Sequence, residues 1–192
     1  MDQPQIKKMF PFEIKIRYIL LPLLGALLFF ITYMVIYLGV FKPVTVEVRE
    51  AGPFHMIFKE HTGAYHKIVP IIEEVEKWAQ AQGLDCHLSF GEYLDRAQEV
   101  EESRLRSLGG CLVPEIPQSL PPDFQQKTLS ERKYIVAVFN GSPGIGPFKV
   151  YSRVYNYATE NRLVLEDNTL EVYEILQTPN SMITTYYFPI KQ

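Results

Sequence analysis

The chain has 192 residues, 47% hydrophobic and 21% charged, values that exclude a disordered polymer and suit one ordinary domain with a real core. Five of the 19 basic residues (Lys7, Lys8, Lys15, Arg17, Lys42) and two of the 22 acidic ones (Asp2, Glu13) precede residue 43, leaving 14 basic and 20 acidic residues beyond it, a net of −6. Nucleic-acid binding draws its energy from Lys and Arg on phosphate, so an acidic domain argues against that partner.

Residues 18–41 read YILLPLLGALLFFITYMVIYLGVF, with no charged side chain. At helical rise this stretch crosses a hydrocarbon core of about 30 Å with some tilt, which predicts a transmembrane helix in contact with membrane lipid. Tyr33 and Tyr37 suit the far interface, and Pro22 is expected in the first turn, where a missing N–H is tolerated. A buried core helix of this length would carry a polar face, and a cleavable leader would be shorter and end in small residues. Lys7, Lys8, Lys15 and Arg17 before the helix outweigh Lys42 and Arg49 after it. That bias predicts a cytoplasmic segment over residues 1–17 and a domain on the periplasmic or extracellular side of the cell membrane.

Beyond the helix, residues 44–50 and 54–60 read as one strand interrupted at Ala51-Gly52-Pro53. Thr62 is a candidate helix cap, and Ile68, Ile71, Ile72, Val75, Trp78 and Ala79 recur at helical spacing over residues 64–82, with Gly83 placed to end the helix. Strand-like runs follow at 84–94 and 104–113, joined by a hairpin turning near residues 98–99. Residues 114–128 hold four prolines and no periodicity, and read as a surface linker. The pattern then repeats: a strand at 133–140, a helix at 147–160 with Val150, Val154, Tyr157 and Ala158 inward, and strands at 169–176 and 182–190. Strand–helix–strand–strand thus occurs twice, in repeats spanning 44–113 and 129–190. Neither repeat covers its own sheet face, so the expected fold is α+β: duplicated β-α-β-β (SHS2-like) modules around a pseudo-twofold groove, preceded by one transmembrane helix. The groove is the natural ligand site.

Several motifs carry a resemblance. The strand at 44–50, His61-Thr62-Gly63-Ala64-Tyr65, Phe90-Gly91-Glu92-Tyr93-Leu94-Asp95, Gly109-Gly110, Leu170-Glu171-Val172-Tyr173 and Tyr187-Phe188-Pro189-Ile190 follow one another in the order found in the GyrI-like family, the bacterial transcription-activator effector-binding domain. The likeness runs over residues 44–190. It implies a binding fold whose members sense cationic or amphipathic compounds, restrain gyrase or hydrolyse cyclopropane-bearing compounds. It also implies that Glu171, the glutamate of the Leu-Glu-hydrophobic-Tyr motif, faces a ligand's positive charge. A membrane helix stands where regulators of the family carry a helix-turn-helix, which argues against a direct transcription factor. The chain ends at Gln192, just after the last strand, without the long tail of eukaryotic anchored members, which weakens an adaptor role.

Strand alternation puts Glu171 and Tyr173 on one face. A carboxylate beside aromatic rings suits a desolvated cation, through charge and a cation–π attraction of about 0.5–2 kcal/mol; the alternative is a solvated strand acid. Aligning the repeats makes Gly91 the counterpart of Glu171 and Tyr93 that of Tyr173, so the groove is expected to have two tyrosine walls and one acidic corner. Glu171, Tyr173 and Tyr93 are the candidate ligand-binding residues. No catalytic residue, metal ligand or cofactor is assigned.

Cys86 and Cys111 fall on neighbouring strands. A disulfide is open to them in an oxidising compartment, but uncertain strand register favours buried free thiols. Among His55, His61, His66 and His87, the five-residue separation of His61 and His66 is not the helical spacing zinc prefers, so turn or surface roles are expected, with His66 near the groove entrance a minor catalytic candidate. Residues 141–146 (GSPGIG) open a helix but lack a P-loop lysine, and Pro143 and Pro147 remove N–H groups, so they read as a turn. Residues 99–106 hold Glu99, Glu101, Glu102, Arg104 and Arg106 and read as a solvated hairpin tip. The function expected is a membrane-anchored module binding an amphipathic or cationic small molecule or a protein partner. The alternatives are a hydrolase of a small hydrophobic compound using Glu171, and an interaction scaffold whose groove its own side chains fill.

Overall fold

The computed structural model describes residues 17–175 and 182–191. Lys7, Lys8 and Lys15, on which the predicted orientation rests, lie outside the described residues. The chain divides into two units, residues 1–38 and 39–192.

Among the described residues the first unit holds one helix, α1 (Arg17–Tyr37), whose Tyr18–Tyr37 stretch is long and apolar enough to cross a membrane. It stops four residues short of the predicted end, because residues 38–41 form a turn in which Gly39 takes a φ of +75°. Pro22 is its sixth residue rather than part of its first turn. Tyr33 and Tyr37, one helical turn apart, stack with ring centroids 5.8 Å apart.

The second unit is α+β. Its strands are β1 (Val44–Ala51), β2 (Phe54–Thr62), β3 (Leu88–Tyr93), β4 (Arg106–Leu112), β5 (Gln125–Leu129), β6 (Arg132–Asn140), β7 (Thr169–Ile175) and β8 (Met182–Pro189). They form one antiparallel sheet in the order β1-β6-β8-β7-β3-β4-β2-β5. The helices are α2 (Val69–Ala81), entered through a 3-10 turn at Tyr65–Ile68, and α3 (Gly146–Glu160). Exchanging β1 with β5, β2 with β6, β3 with β7 and β4 with β8 reverses the strand order onto itself. In chain order each half reads strand–strand–helix–strand–strand, one strand more than the strand–helix–strand–strand expected from sequence, because β1 and β5 are strands of their own.

Three expectations are corrected. The stretch broken at Ala51-Gly52-Pro53 is two strands in different places, β1 pairing with β6 and β2 with β4 and β5. Gly52 has a φ of +112°, open only to glycine, and Pro53 has no N–H to continue a ladder. The end of the supposed linker is β5, antiparallel to β2 from Phe54↔Leu129 to Phe58↔Gln125. Its run QQKTL has no apolar alternation to betray a strand, because it is an edge. Thr62 closes β2 instead of capping a helix, and no side chain caps the 3-10 turn.

Both helices lie on one sheet face. Val150, Val154 and Ala158 of α3 pack on Ile135, Ala137, Phe139, Tyr186 and Phe188, while Val75 and Ala79 of α2 pack on Ile57, Cys111 and Val113. Gly109 lets α2 settle, since a Cβ there would stand 2.9 Å from Ile72 Cγ1. On the other face Phe54 of β2 meets Tyr187 of β8 at 5.1 Å between ring centroids. Those strands are four places apart in the order, about 19 Å in a flat sheet. The sheet is therefore curled, and its concave face buries its own core of Met56, Phe58, Phe90, Leu108, Leu170 and Val172.

The cysteines are joined as a disulfide, against the expectation of free thiols. Cys86 lies two residues before β3, outside the ladder, and its loop brings the two Cα atoms to 5.5 Å, within disulfide reach. Strand register, the ground for expecting thiols, does not govern a loop residue.

Candidate functional site

One cross-strand row sets the geometry. Gly109 of β4 pairs with Gly91 of β3, Gly91 with Glu171 of β7, and Glu171 with Tyr186 of β8. Facing pairs in antiparallel strands point to the same side, so this row floors the gap between α2 and α3. Glu171 is 4% exposed.

Glu171 Oε1 accepts from the Tyr151 hydroxyl of α3 at 3.0 Å, and Oε2 from its strand neighbour Tyr173 at 3.2 Å. Tyr173 and Tyr93 hydroxyls meet at 3.0 Å. Tyr93 and Tyr173 stand at opposite ends of the β3–β7 ladder and lean inward until their hydroxyls meet above Gly91. A Cβ at Gly91 would stand 3.1 Å from the Tyr93 hydroxyl and 3.3 Å from that of Tyr173. The missing side chain is the space the two phenols share. Tyr65 closes one end, its ring 4.7 Å from Tyr93 and its hydroxyl donating to the Asp95 carbonyl at 2.6 Å. Tyr151, packed on Phe188 at 5.1 Å, closes the other.

Among the described residues no Lys, Arg or His forms an ion pair with Glu171. Burial therefore dominates its protonation and lifts its pKa from 4.5 to about 7, with the two tyrosine hydrogen bonds pulling it back. Burial first, and the Glu171 carboxylate second, push the Tyr93, Tyr151, Tyr173 and Tyr186 phenols up, so all four remain protonated at neutral pH.

The three residues singled out from sequence, Glu171, Tyr173 and Tyr93, are thus brought together. Tyr65 and Tyr151 were missed. Tyr151 sits one position beside the apolar stripe Val150-Val154-Ala158, at the border where a helical pattern cannot tell a wall from a surface. His66, exposed in the 3-10 turn, joins nothing. Glu92 sits on the concave face, 2% exposed, paired with Lys127 and accepting from Asn168 Nδ2 at 3.3 Å. It cannot act as a second acidic corner. Among the described residues no three His, Cys, Asp or Glu side chains converge as a metal site.

The gap above Glu171 is filled by the tyrosines themselves, and the open clefts lie elsewhere. One of about 850 Å³ is lined by residues of the β5–β6 connection with Glu166, Asn168 and Lys191. Another of about 560 Å³ lies between residues 42–44 and α3.

An antiparallel sheet with two helices on one face, straddling a buried carboxylate among phenols, defines the class of α+β domain. The chain belongs to the GyrI-like family of small-molecule-binding domains, whose pattern it matches over residues 45–191. Solved structures share the fold at low identity. The C-terminal domain of EcmrR superposes with a TM-score of 0.63 at 13% identity, covering 78% of this chain and 98% of that one. EcmrR in a complex with DNA gives 0.62 at 13% identity, covering 92% of this chain and 70% of that one. SAV2435 bound to tetraphenylphosphonium gives 0.52 at 13% identity, covering 77% and 94%. No curated protein matches in sequence.

Proposed function

We propose that this chain is a membrane-anchored module that binds an amphipathic organic cation between its two helices, with Glu171 as counter-charge and Tyr93 and Tyr173 as walls. The observation that carries this reading is a buried carboxylate with no cation beside it among the described residues, ringed by aromatic faces. An unpaired buried charge is costly, and a lipophilic cation supplies the missing partner together with cation–π contacts. Tyr93 and Tyr173 keep partial exposure, and in this reading they act as movable covers: a ligand displaces the Tyr93–Tyr173 hydroxyl pair and takes the space over Gly91. The structural neighbour solved with tetraphenylphosphonium supports this ligand class. The mirrored strand order supports the duplication expected of two SHS2-like modules, 44–113 and 129–190, with β5 (Gln125–Leu129) added ahead of the second.

In this reading α1 is the anchor, and the disulfide supports a domain on the oxidising side of the membrane, since such bonds do not persist in a reducing cytosol.

The test uses the full chain in nanodiscs, titrated with tetraphenylphosphonium and corrected with empty nanodiscs. The cation binds the ionised carboxylate, so below a pKa of about 7 each pH unit downward weakens binding about tenfold, and above it the affinity levels off. Glu171→Gln removes both the affinity and its pH slope, whereas Glu92→Gln, on the opposite face, changes neither. Binding that ignores pH and survives Glu171→Gln sinks this site assignment. No binding at any pH leaves the tyrosine cluster as packing in a scaffold.

A further inference from the structure

We infer that the N-terminal end of α3, together with residues 41–42, is a lipid-facing surface that docks the domain on an anionic bilayer. Four observations converge there. Outside α1, Phe41 and Phe148 are the most exposed large apolar side chains among the described residues, each 81% exposed. The 560 Å³ cleft beside them is lined by three cations, Lys42, Lys149 and Arg153, and by no carboxylate. Over residues 39–192, which carry 20 acidic and 15 basic residues, this local reversal of sign sets the patch apart.

The strap leading to the patch is also fixed. Lys149 Nζ donates to the Val40 carbonyl at 2.6 Å and to that of Lys42, and the Lys42 amide donates to Gly39 at 3.0 Å. Gly39 lies against the turn before α3, where an added Cβ would stand 3.3 Å from Gly141 Cα. Residues 39–43 are therefore a built part of the domain and no loose tether. Finally, Lys42 follows Leu38 by four residues, a reach of at most about 14 Å along the chain from the last turn of the apolar helix. Within that reach of a membrane span the surroundings are headgroups, where aromatic rings and basic side chains are both favoured.

The occupant that fits is a phospholipid surface of negative charge: Phe41 and Phe148 enter the interface, Lys42 and Arg153 face phosphates, and Lys149 holds the strap in place. Docking would hold the domain in one attitude, with α3 against the lipid. The same helix carries Tyr151, so an amphipathic cation concentrated in the bilayer interface would have a short path to the Glu171 site. The inference rests on reading α1 as a membrane anchor but is independent of what binds at Glu171.

The full chain is reconstituted into nanodiscs containing brominated lipid, with or without phosphatidylglycerol, carrying Phe148→Trp in a Trp78→Phe background. Anionic discs are expected to quench Trp fluorescence more strongly than neutral ones. The excess should fall about fivefold in the docked-to-undocked ratio for each cation removed by Lys42→Gln or Arg153→Gln, and collapse in about 1 M salt. Because Trp78 packs on Phe124, unsubstituted protein provides a second readout: amide exchange over residues 148–153 slows in anionic discs and not in neutral ones. Equal quenching and equal exchange in both lipids overturn the docking surface. Failure of the chain to enter discs at all overturns the anchor instead, and gel filtration separates the two failures.

Discussion

Glu171 shows how far one side chain is governed by its surroundings. Nothing about a glutamate in a strand reading TLEVYEI makes it titrate near neutrality. Two packed helices and a lid of phenols do, by removing water from the charged form while supplying only hydroxyl donors. The consequence for stability has a definite sign. Between its ordinary pKa of 4.5 and its folded value of about 7, the folded chain keeps a proton that the unfolded chain has lost. Stability from this group is therefore full below the lower value, falls as pH rises across that window, and is level above it. Glu171→Gln, which keeps the volume and loses the charge, should not show that fall. At about pH 8 the variant should be more stable than the parent by on the order of 3 kcal/mol, in urea titrations of both proteins. A variant that is less stable throughout would mean the carboxylate is held by something other than the tyrosines.

At the scale of elements, glycines decide how closely strands and helices approach. Gly110 is the tightest case: a Cβ there would stand 2.0 Å from the Ile57 carbonyl oxygen, a backbone atom of the paired strand that cannot turn aside. Gly110→Ala should cost several kcal/mol, with loss of the cooperative thermal transition as the extreme outcome. Gly144→Ala, whose Cβ would meet nothing nearer than Ser142 Oγ at 3.7 Å, should shift stability by only about half a kcal/mol. Urea midpoints for the two variants make the comparison. A mild Gly110→Ala would mean that β2 and β4 can separate without harm. The pair Gly109-Gly110 was visible in the sequence as a motif, but its meaning was not. One glycine admits α2 and the other admits a neighbouring strand, and alternation of faces separates those jobs.

For the whole second unit, the Cys86–Cys111 link ties the loop entering β3 to β4, across 25 residues of chain. Reduction, or Cys86→Ser with Cys111→Ser, should lower the unfolding free energy by about 3 kcal/mol, the amount expected from freeing a loop of this length. The same bond reports on sidedness. If the domain faces an oxidising compartment, a maleimide added to intact cells should label neither cysteine until a reductant is supplied. Labelling without reductant would place the domain in a reducing space and reverse the proposed orientation.

Sequence alone was sufficient for what depends on local periodicity and composition. The charge-free run of residues 18–41 announced a helix able to cross a membrane, and apolar spacing announced α2 and α3. The Leu-Glu-Val-Tyr motif and its repeat counterpart named Glu171, Tyr173 and Tyr93, and the structure brings these three together. What sequence could not decide were relations between distant segments. That β1 and β2 part company, that QQKTL is an edge strand and that Cys86 reaches Cys111 are matters of tertiary placement. So is the closing of the site by Tyr65 and Tyr151 from two helical segments. The physical reason is that hydrogen-bond pairing and desolvation are properties of neighbours in space. A residue's own pattern records which face it shows, and leaves open what that face will meet.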